Sequence, residues 1–505
     1  MPIINSIVYW FNVKRLHQIE LFKIYPYNVQ EDSLLKLIQK AADTEWGKTY
    51  DYSNIRSIEE FQTNVPLQTY EDIKPFVDRL REGEKNLLWP GEIKWFAKSS
   101  GTTNDKSKFI PVTKEALEDC HFRAGKDVLA IYTNHYPETK IFSGKGLTLG
   151  GSHKINNFSN QSYYGDLSAI LIENLPFWVD FIRTPKQDIA LMDKWEEKIQ
   201  KITESTIKEN VTNIAGVPSW NMVLLKYILD YTGKNNLLEI WPNLELFTHG
   251  GVSFSPYREQ FKKLIPSENM HYLETYNASE GFFGIQDTTD RDDMLLMLDY
   301  GIFYEFIPFD QINSPKPEAV SIEKVVLNKN YALVITTNSG LWRYIIGDTV
   351  IFTSLYPHRI KISGRTRHYI NAFGEELIID NAEKALVIAC EKTGAQILEY
   401  TAGPVYMESN ANGTHEWLIE FEKAPDNLEY FTTLLDNALC SVNSDYEAKR
   451  YKNITLRMPI VHSMKKGVFF EWLSEKGKVG GQNKVPRLAN NRQYIEELLR
   501  IEKKL

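Results

Sequence analysis

Asn330-Tyr331-Ala332-Leu333-Val334-Ile335-Thr336-Thr337-Asn338-Ser339-Gly340-Leu341-Trp342-Arg343-Tyr344-Ile345-Ile346-Gly347-Asp348 sets two short apolar runs on either side of an Asn-Ser-Gly break. Each run is too short for a helix and rich in β-branched residues, so strands are expected. Val325-Val326-Leu327 before it, closed by Asn328-Lys329-Asn330, extends the pattern, and residues 320–363 therefore predict a β-meander. Arg359-Ile360-Lys361-Ile362 ends it, and Ser363-Gly364-Arg365-Thr366-Arg367 follows as the best linker. The expected division is a large domain over 1–364 and a small one over 365–505.

Toward the N-terminus, residues 93–365 alternate short apolar runs with helical stretches such as Asp188–Glu209 and Ser219–Tyr231, the pattern of sheets covered by helices. Residues 7–90 predict helices, with helical spacing in Ser33–Ile38 and Tyr70–Phe76. Beyond the linker, helices over Asp380–Thr393 and Leu428–Leu439 and strands over Tyr400–Met407, Glu416–Phe421 and Ile454–Met458 predict a compact α+β unit. The fold class is α/β: helix-covered sheets and a β-meander or barrel, with a small α+β domain at the C-terminus. No internal repeat or low-complexity tract interrupts it.

The 505 residues are 43% hydrophobic and 25% charged, which excludes disorder and collagen-like repetition. A net charge of −8 provides no positive field for a nucleic-acid backbone. Cys120, Cys390 and Cys440 are too scattered for a metal quartet or a disulfide framework, and a reducing, cytoplasmic setting is expected. The apolar start, Met1–Ile7, lacks a basic n-region and predicts a packed helix rather than a secretory signal. The uncharged stretch 210–225 is broken by Gly216 and Pro218, so no membrane span is expected.

Chemistry concentrates in three places. Lys98-Ser99-Ser100-Gly101-Thr102-Thr103-Asn104-Asp105-Lys106-Ser107-Lys108 offers hydroxyls, backbone N–H groups and lysines to an anion between two strand-like runs. Alone, it suits either a phosphate cradle or a polar hairpin loop. Tyr272–Gly284, preceded by His249-Gly250-Gly251, contains Tyr276, which could stack on a planar base, Ala278, which leaves room for one, and Glu280, an oxygen ligand for Mg²⁺. A core aromatic and a turn acid account for Tyr276 and Glu280 equally simply. Asp348, in a turn after an apolar strand, can accept both hydroxyls of a ribose, although Gly-Asp is also ordinary turn chemistry. No His-x-x-x-His spacing and no Gly-x-Ser-x-Gly elbow occurs, against a metallohydrolase or a serine hydrolase.

In this order, Ser99–Thr103 with Lys108 and Pro111, Tyr276–Gly281, Tyr344–Asp348, Gly364-Arg365-Thr366 with Asn371 and Gly374-Glu375, and Gln482–Arg487 resemble the GH3 acyl acid amido synthetases, a bacterial-type member being expected. That family belongs to the adenylate-forming superfamily of acyl-CoA synthetases and luciferases. The resemblance covers residues 60–490 and implies the luciferase-like architecture with a lid domain hinged at Gly364. It implies ATP and Mg²⁺ as cofactors and a carboxylic acid and an amino acid as substrates. Ser99, Ser100, Thr102 and Thr103 would line the phosphate loop and Tyr276 would flank the adenine, with Gly101, Lys108, Gly250, Gly251, Ala278 and Ser279 also among the ATP-binding residues. Glu280 would bind the metal, Asp348 would hold the ribose, Arg365 would be among the ATP-binding residues, and Lys484 would reach the phosphates as a catalytic cation. Asp105 stands where the family usually has a second loop glycine. Arg123 and Lys126 are candidates for the acid's carboxylate, with a solvated helix face as the simpler account. A thiol acceptor such as CoA, or a nucleotide-binding protein without turnover, is the alternative; retention of Glu280, Asp348 and Lys484 weighs against the latter.

Overall fold

The computed structural model describes residues 3–99, 108–151, 156–159, 162–192, 194–251, 254, 257–312, 314–366, 369–370, 372, 375, 377–406, 413–443, 446–447, 450, 456–476, 485–489 and 491–505. Helices Ile3–Ile24, Pro26–Ala41, Ile58–Asn64 and Tyr70–Arg81 open the chain, as the spacing predicts. Their starts are written locally: Pro26 occupies a first turn, where its missing N–H costs nothing, and Asp72 accepts from the backbone N–H of Thr69 at 2.7 Å. Arg15 pins the first helix by pairing with Asp127 at 2.7 Å and with Asp299, and Tyr300 donates to Asp127 from the core.

The strands follow as β1 (Trp95–Ser99), β2 (Lys108–Val112), β3 (Lys145–Thr148), β4 (Asn156–Ser159), β5 (Ser162–Gly165), β6 (Arg183–Thr184), β7 (Val211–Gly216), β8 (Leu246–Gly250), β9 (His271–Ala278), β10 (Gly281–Ile285), β11 (Met294–Leu296), β12 (Ile302–Pro308), β13 (Val320–Ser321), β14 (Asn330–Thr337), β15 (Tyr344–Leu355), β16 (His358–Arg365), β17 (Gln396–Tyr406), β18 (Gly413–Lys423) and β19 (Ile460–Met464). A four-stranded sheet has the order β2-β1-β5-β4, and a 12-stranded sheet runs β13-β12-β14-β15-β16-β11-β10-β9-β8-β7-β3-β6. In the long sheet β6, β3, β7, β8 and β9 are mutually parallel, whereas β9, β10 and β11 alternate. Helix-covered parallel strands thus give way to an antiparallel meander at the β9–β10 hairpin, and every residue of β12 is buried.

The chain divides into two units, the first comprising residues 1–252, 262–346 and 350–361, the second 253–261, 347–349 and 362–505. The second is built on the sheet β17-β18-β19 with helices Ile379–Thr393 and Leu428–Val442, whose Leu386, Leu435 and Leu439 pack with Trp417 and Ile419 in its core.

Three expectations need correction. Val325-Val326-Leu327 is a connection, with Val326 57% exposed; the pairing strand is only Val320–Ser321, because a 3₁₀ turn at Ile322–Lys324 intervenes. The helix expected over Asp188–Glu209 is two, Gln187–Ala190 and Trp195–Thr206, since Ala190 and Leu191 bury against Ala169 and Ile172. Among the described residues the last strand is Ile460–Met464, starting after Pro459, and of the described part of the expected run over Ile454–Met458 only Leu456 pairs, in an isolated bridge to Gly413. Residues 454 and 455 lie outside the described residues.

Two histidines of the first unit make its stability pH-dependent. His121 and His358 are 7% and 6% exposed, and burial pushes each imidazole down to about 4. Between that value and the ordinary one of roughly 6.5, the unfolded chain binds more protons, so stability held above pH 6.5 is lost as pH falls. Each should contribute a loss of about 2 kcal/mol between pH 7.5 and pH 5. Urea midpoints at the two pH values measure it. A His121→Gln, His358→Gln double variant with the parent's full pH dependence would contradict the assignment.

Candidate active site

Parallel strands β7, β8 and β9 end along one edge of the long sheet, with Gly216 beside His249 and Gly250 beside Thr275. In open α/β sheets ligands bind outside such carboxyl ends. Gly250 is required there: a Cβ would sit 2.5 Å from the carbonyl oxygen of Thr275. Gly251 follows with φ +83°, so the chain leaves β8 in a conformation that favours glycine. The neighbouring strand β9 continues to Ala278, turns through Ser279 and Glu280, and returns as β10 with Gly281 opposite Ala278. That two-residue turn places Ser279 and Glu280, 8% and 7% exposed, at the edge where parallel pairing stops. Tyr276 lies behind it, 3% exposed, its ring edge-on to Phe283 at 4.8 Å.

A second group gathers at the base of the Ser99–Lys108 connection. The β1–β2 hairpin pairs Ser99 with Lys108, and residues 100–107, including Ser100, Gly101, Thr102, Thr103 and Asp105, lie outside the described residues. The Lys108 ammonium is 3.3 Å from the Tyr344 hydroxyl and sits 5.7 and 5.8 Å from the Tyr70 and Tyr344 ring centroids. Arg343 braces Tyr344: its guanidinium meets buried Glu305 at 2.8 and 2.9 Å and donates to the Gln62 and Val65 carbonyls. Tyr70 and Tyr344 were not legible as partners of Lys108, because more than two hundred residues separate Lys108 from Tyr344 and nothing local marks the contact.

In the second unit, Arg365 Nε donates to Asp348 Oδ1 at 2.8 Å and fixes that carboxylate beside the Gly347 carbonyl, which accepts from Thr366 N at 2.8 Å. Glu375 is fully buried against His415, 2.7 Å away. Asn371, Gly374 and Lys484 lie outside the described residues, whereas Val485–Ala489 beyond Lys484 is described.

Helix Arg123–His135 follows a π-helical turn, Ala116–Phe122, whose Cys120 accepts from Phe282 N at 3.2 Å. Burial pushes that thiol up to about 12. Arg123 pairs with Asp119 at 3.0 Å and donates to the Asp299 carbonyl at 3.1 Å, and Lys126 is exposed. The acid four residues before Arg123 is the signal for that pairing. No group of three or more His, Cys, Asp or Glu among the described residues could hold a metal by itself. Magnesium at nucleotide sites commonly takes one or two carboxylates with phosphate oxygens and water, and Glu280 at a strand-end turn fits that sparse demand. No described helix is long and apolar enough to cross a membrane.

The fold is that of adenylate-forming enzymes. The AtGH3.15 acyl acid amido synthetase in complex with 2,4-DB superposes with a TM-score of 0.80 at 17% identity, over 96% of this chain and 95% of that one. A 2-hydroxyisobutyryl-CoA ligase in the postadenylation state gives 0.59 at 12% identity, over 94% and 92%. The GH3 family N-terminal, central and C-terminal domain models match residues 15–270, 295–365 and 380–493, and the chain belongs to the GH3 family. An indole-3-acetic acid-amido synthetase, GH3.3 of Arabidopsis thaliana, is 23% identical over 96% of this chain and 93% of its own length.

Proposed function

We propose that the chain is a ligase that adenylates a small carboxylic acid with ATP and passes the acyl group to an amine, an amino acid, releasing AMP and pyrophosphate. Membership of the GH3 family carries this reading. Its named relative is an acid-amido synthetase, and the position of the strand-end glycines and the Ser279-Glu280 turn near the carboxyl ends of parallel strands, where open α/β sheets take ligands, supports it. The acid's carboxylate oxygen attacks the α-phosphorus, the bond to the β-phosphate oxygen breaks, and pyrophosphate leaves with its electron pair. The amine nitrogen, unprotonated, then attacks the acyl carbon, AMP leaves, and the surplus proton passes to water.

Anion meets anion in the first step, so the residues must supply fixed positive charge and donors. Ser99, Ser100, Gly101, Thr102 and Thr103, with Lys108, are proposed for the phosphates, and Lys484 for the charge that develops at the α-phosphate. Gly250, Gly251, Tyr276, Ala278 and Ser279 are proposed for the adenine side. Asp348, oriented by Arg365, takes the ribose hydroxyls. Glu280 would hold Mg²⁺, which when bound screens the phosphate oxygens. The acid would lie toward the helix after β2, where Arg123 and Lys126 are found. The proposed domains are 1–364 for adenylation and 365–505 for the part carrying Lys484, supported by the last change of unit between Lys361 and Ile362. The three free cysteines support a cytoplasmic setting.

Acid-dependent exchange of pyrophosphate into ATP tests the first step. No exchange with any acid would refute it. Asp348→Ala should raise the KM for ATP about tenfold with little change in kcat, because the ribose takes no part in the charge change. Comparison of ATP with 2′,3′-dideoxy-ATP checks the role: the parent should discriminate and the variant should not.

A further inference from the structure

The turn that carries Ser279 and Glu280 is followed at once by an irregularity in β10. Phe282 faces Asn277 and Gly284 faces Tyr276, so Phe283 is an extra residue and the ladder is broken there. Cys120, 1% exposed, meets the backbone at that point: its sulfur accepts from Phe282 N at 3.2 Å, and its S–H donates to the Phe282 carbonyl at 3.9 Å. Burial keeps the thiol protonated, so one side chain serves both backbone groups.

Cys120 reaches Phe282 from a segment that is itself irregular. It lies in the π-helical turn Ala116–Phe122, which the Thr113 hydroxyl fixes by accepting from Ala116 N at 3.0 Å and donating to the Asn338 carbonyl at 2.7 Å. A π-turn and a bulge are both insertions into a regular element, and both are found preferentially beside functional sites. Here the two face each other across one sulfur, at the second residue after Glu280. The sheet holds the rest of the bulge: the Phe283 ring lies edge-on to Tyr276 at 4.8 Å and to Tyr304 at 6.2 Å, and the Phe283 carbonyl accepts from Met297 N at 2.8 Å. Through Cys120 the Phe282 backbone is tied to the helix layer as well.

We propose that Cys120 is a positioning residue that, by holding the Phe282 backbone at the bulge, sets the place of the Glu280 carboxylate for Mg²⁺ in adenylate formation; this rests on reading Glu280 as the magnesium ligand. Two residues reach at most about 7 Å, and the intervening Gly281 is closely packed: a Cβ there would lie 2.8 Å from Ile302 Cδ1 and 3.0 Å from Phe283 Cε1. Movement at Phe282 therefore passes to the Glu280 turn. A misplacement of about 1 Å can cost on the order of 10²-fold in rate. The sulfur acts through its two hydrogen bonds and takes no part in bond making, so the effect belongs to the step that uses the metal.

Cys120→Ala removes both hydrogen bonds. The Mg²⁺ concentration for half-maximal pyrophosphate exchange should rise about five- to tenfold, the scale of a hydrogen bond lost at a positioned group. A second readout needs no turnover. In calorimetric titration with α,β-methylene-ATP, affinity in EDTA should stay within about twofold of the parent's, while the gain in affinity that Mg²⁺ brings shrinks by about five- to tenfold. Cys120→Ser keeps a donor and an acceptor and should recover about half of the loss or more on a logarithmic scale. In a Glu280→Gln background, Cys120→Ala should add no further loss, since a misplaced carboxylate and a missing charge fail in the same way. Cys120→Val, which fills the volume without hydrogen bonds, gives the same measurements if Cys120→Ala does not fold. If Glu280→Gln is impaired but Cys120→Ala or Cys120→Val keeps the parent's Mg²⁺ dependence, if Cys120→Ser restores nothing, or if the losses multiply with that of Glu280→Gln, positioning is overturned while the Glu280 reading stands. If Glu280→Gln itself keeps the parent's Mg²⁺ dependence, that reading falls and the positioning proposal falls with it.

Discussion

Lys484→Ala is expected to form acyl-adenylate about 10²–10³-fold more slowly than the parent, the range seen when one preorganised donor to a developing charge is removed. ATP affinity should change by no more than about threefold, because an interaction made chiefly in the transition state lowers kcat rather than raising KM. The carboxylate attack builds negative charge at the α-phosphorus next to a triphosphate already anionic, and the ammonium proposed for that place would oppose the repulsion. Burst kinetics of AMP formation with a saturating acid, alongside calorimetric titration of ATP, separate rate from binding. Equal losses in ATP affinity and turnover would make Lys484 an ordinary ground-state contact, and parent-like turnover would remove it from the chemistry.

The second large effect belongs to Glu280. Glu280→Gln keeps the size of the side chain at the turn between β9 and β10 and removes one charge. Adenylation should fall on the order of 10²-fold or more, since charge stabilisation through a metal site is worth several kcal/mol. The Mg²⁺ concentration that gives half-maximal rate should rise as well, so high Mg²⁺ restores part of the rate. The same variant should retain the parent's thermal midpoint within a few degrees, because Glu280 lies in a hairpin turn and not in the hydrophobic core. Unchanged turnover at every Mg²⁺ concentration would exclude Glu280 as a ligand.

Local signals carried much of the fold. The helical spacing through Tyr70–Phe76, the short apolar run Ala332–Ile335 and the helix expected over Asp380–Thr393 are written in neighbouring residues, and the structure has them within Tyr70–Arg81, Asn330–Thr337 and Ile379–Thr393. Misreadings fell where tertiary contacts decide: Val325-Val326-Leu327 has strand composition but no partner strand, and its apolar content stays partly exposed. The edge that gathers Gly250, Ala278 and Glu280 was visible only as separate motifs, because their adjacency depends on parallel pairing of β8 with β9. Contacts across long sequence gaps were invisible for the same reason. Lys108 with Tyr344, and Arg487 with Glu399, join residues whose own surroundings give no sign of the other.

Product analysis tests the ligase reading most directly. The enzyme is incubated with ATP, Mg²⁺ and each member of a carboxylic-acid panel, with pooled amino acids, with CoA, or with neither, and AMP, pyrophosphate and acyl products are quantified by mass spectrometry. The account predicts that at least one acid gives AMP and pyrophosphate in equal amounts, and that amino acids raise turnover with one amide formed per AMP. It predicts no acyl-CoA. A thioester in place of the amide, or ATP consumption independent of every acid and amine, would contradict it.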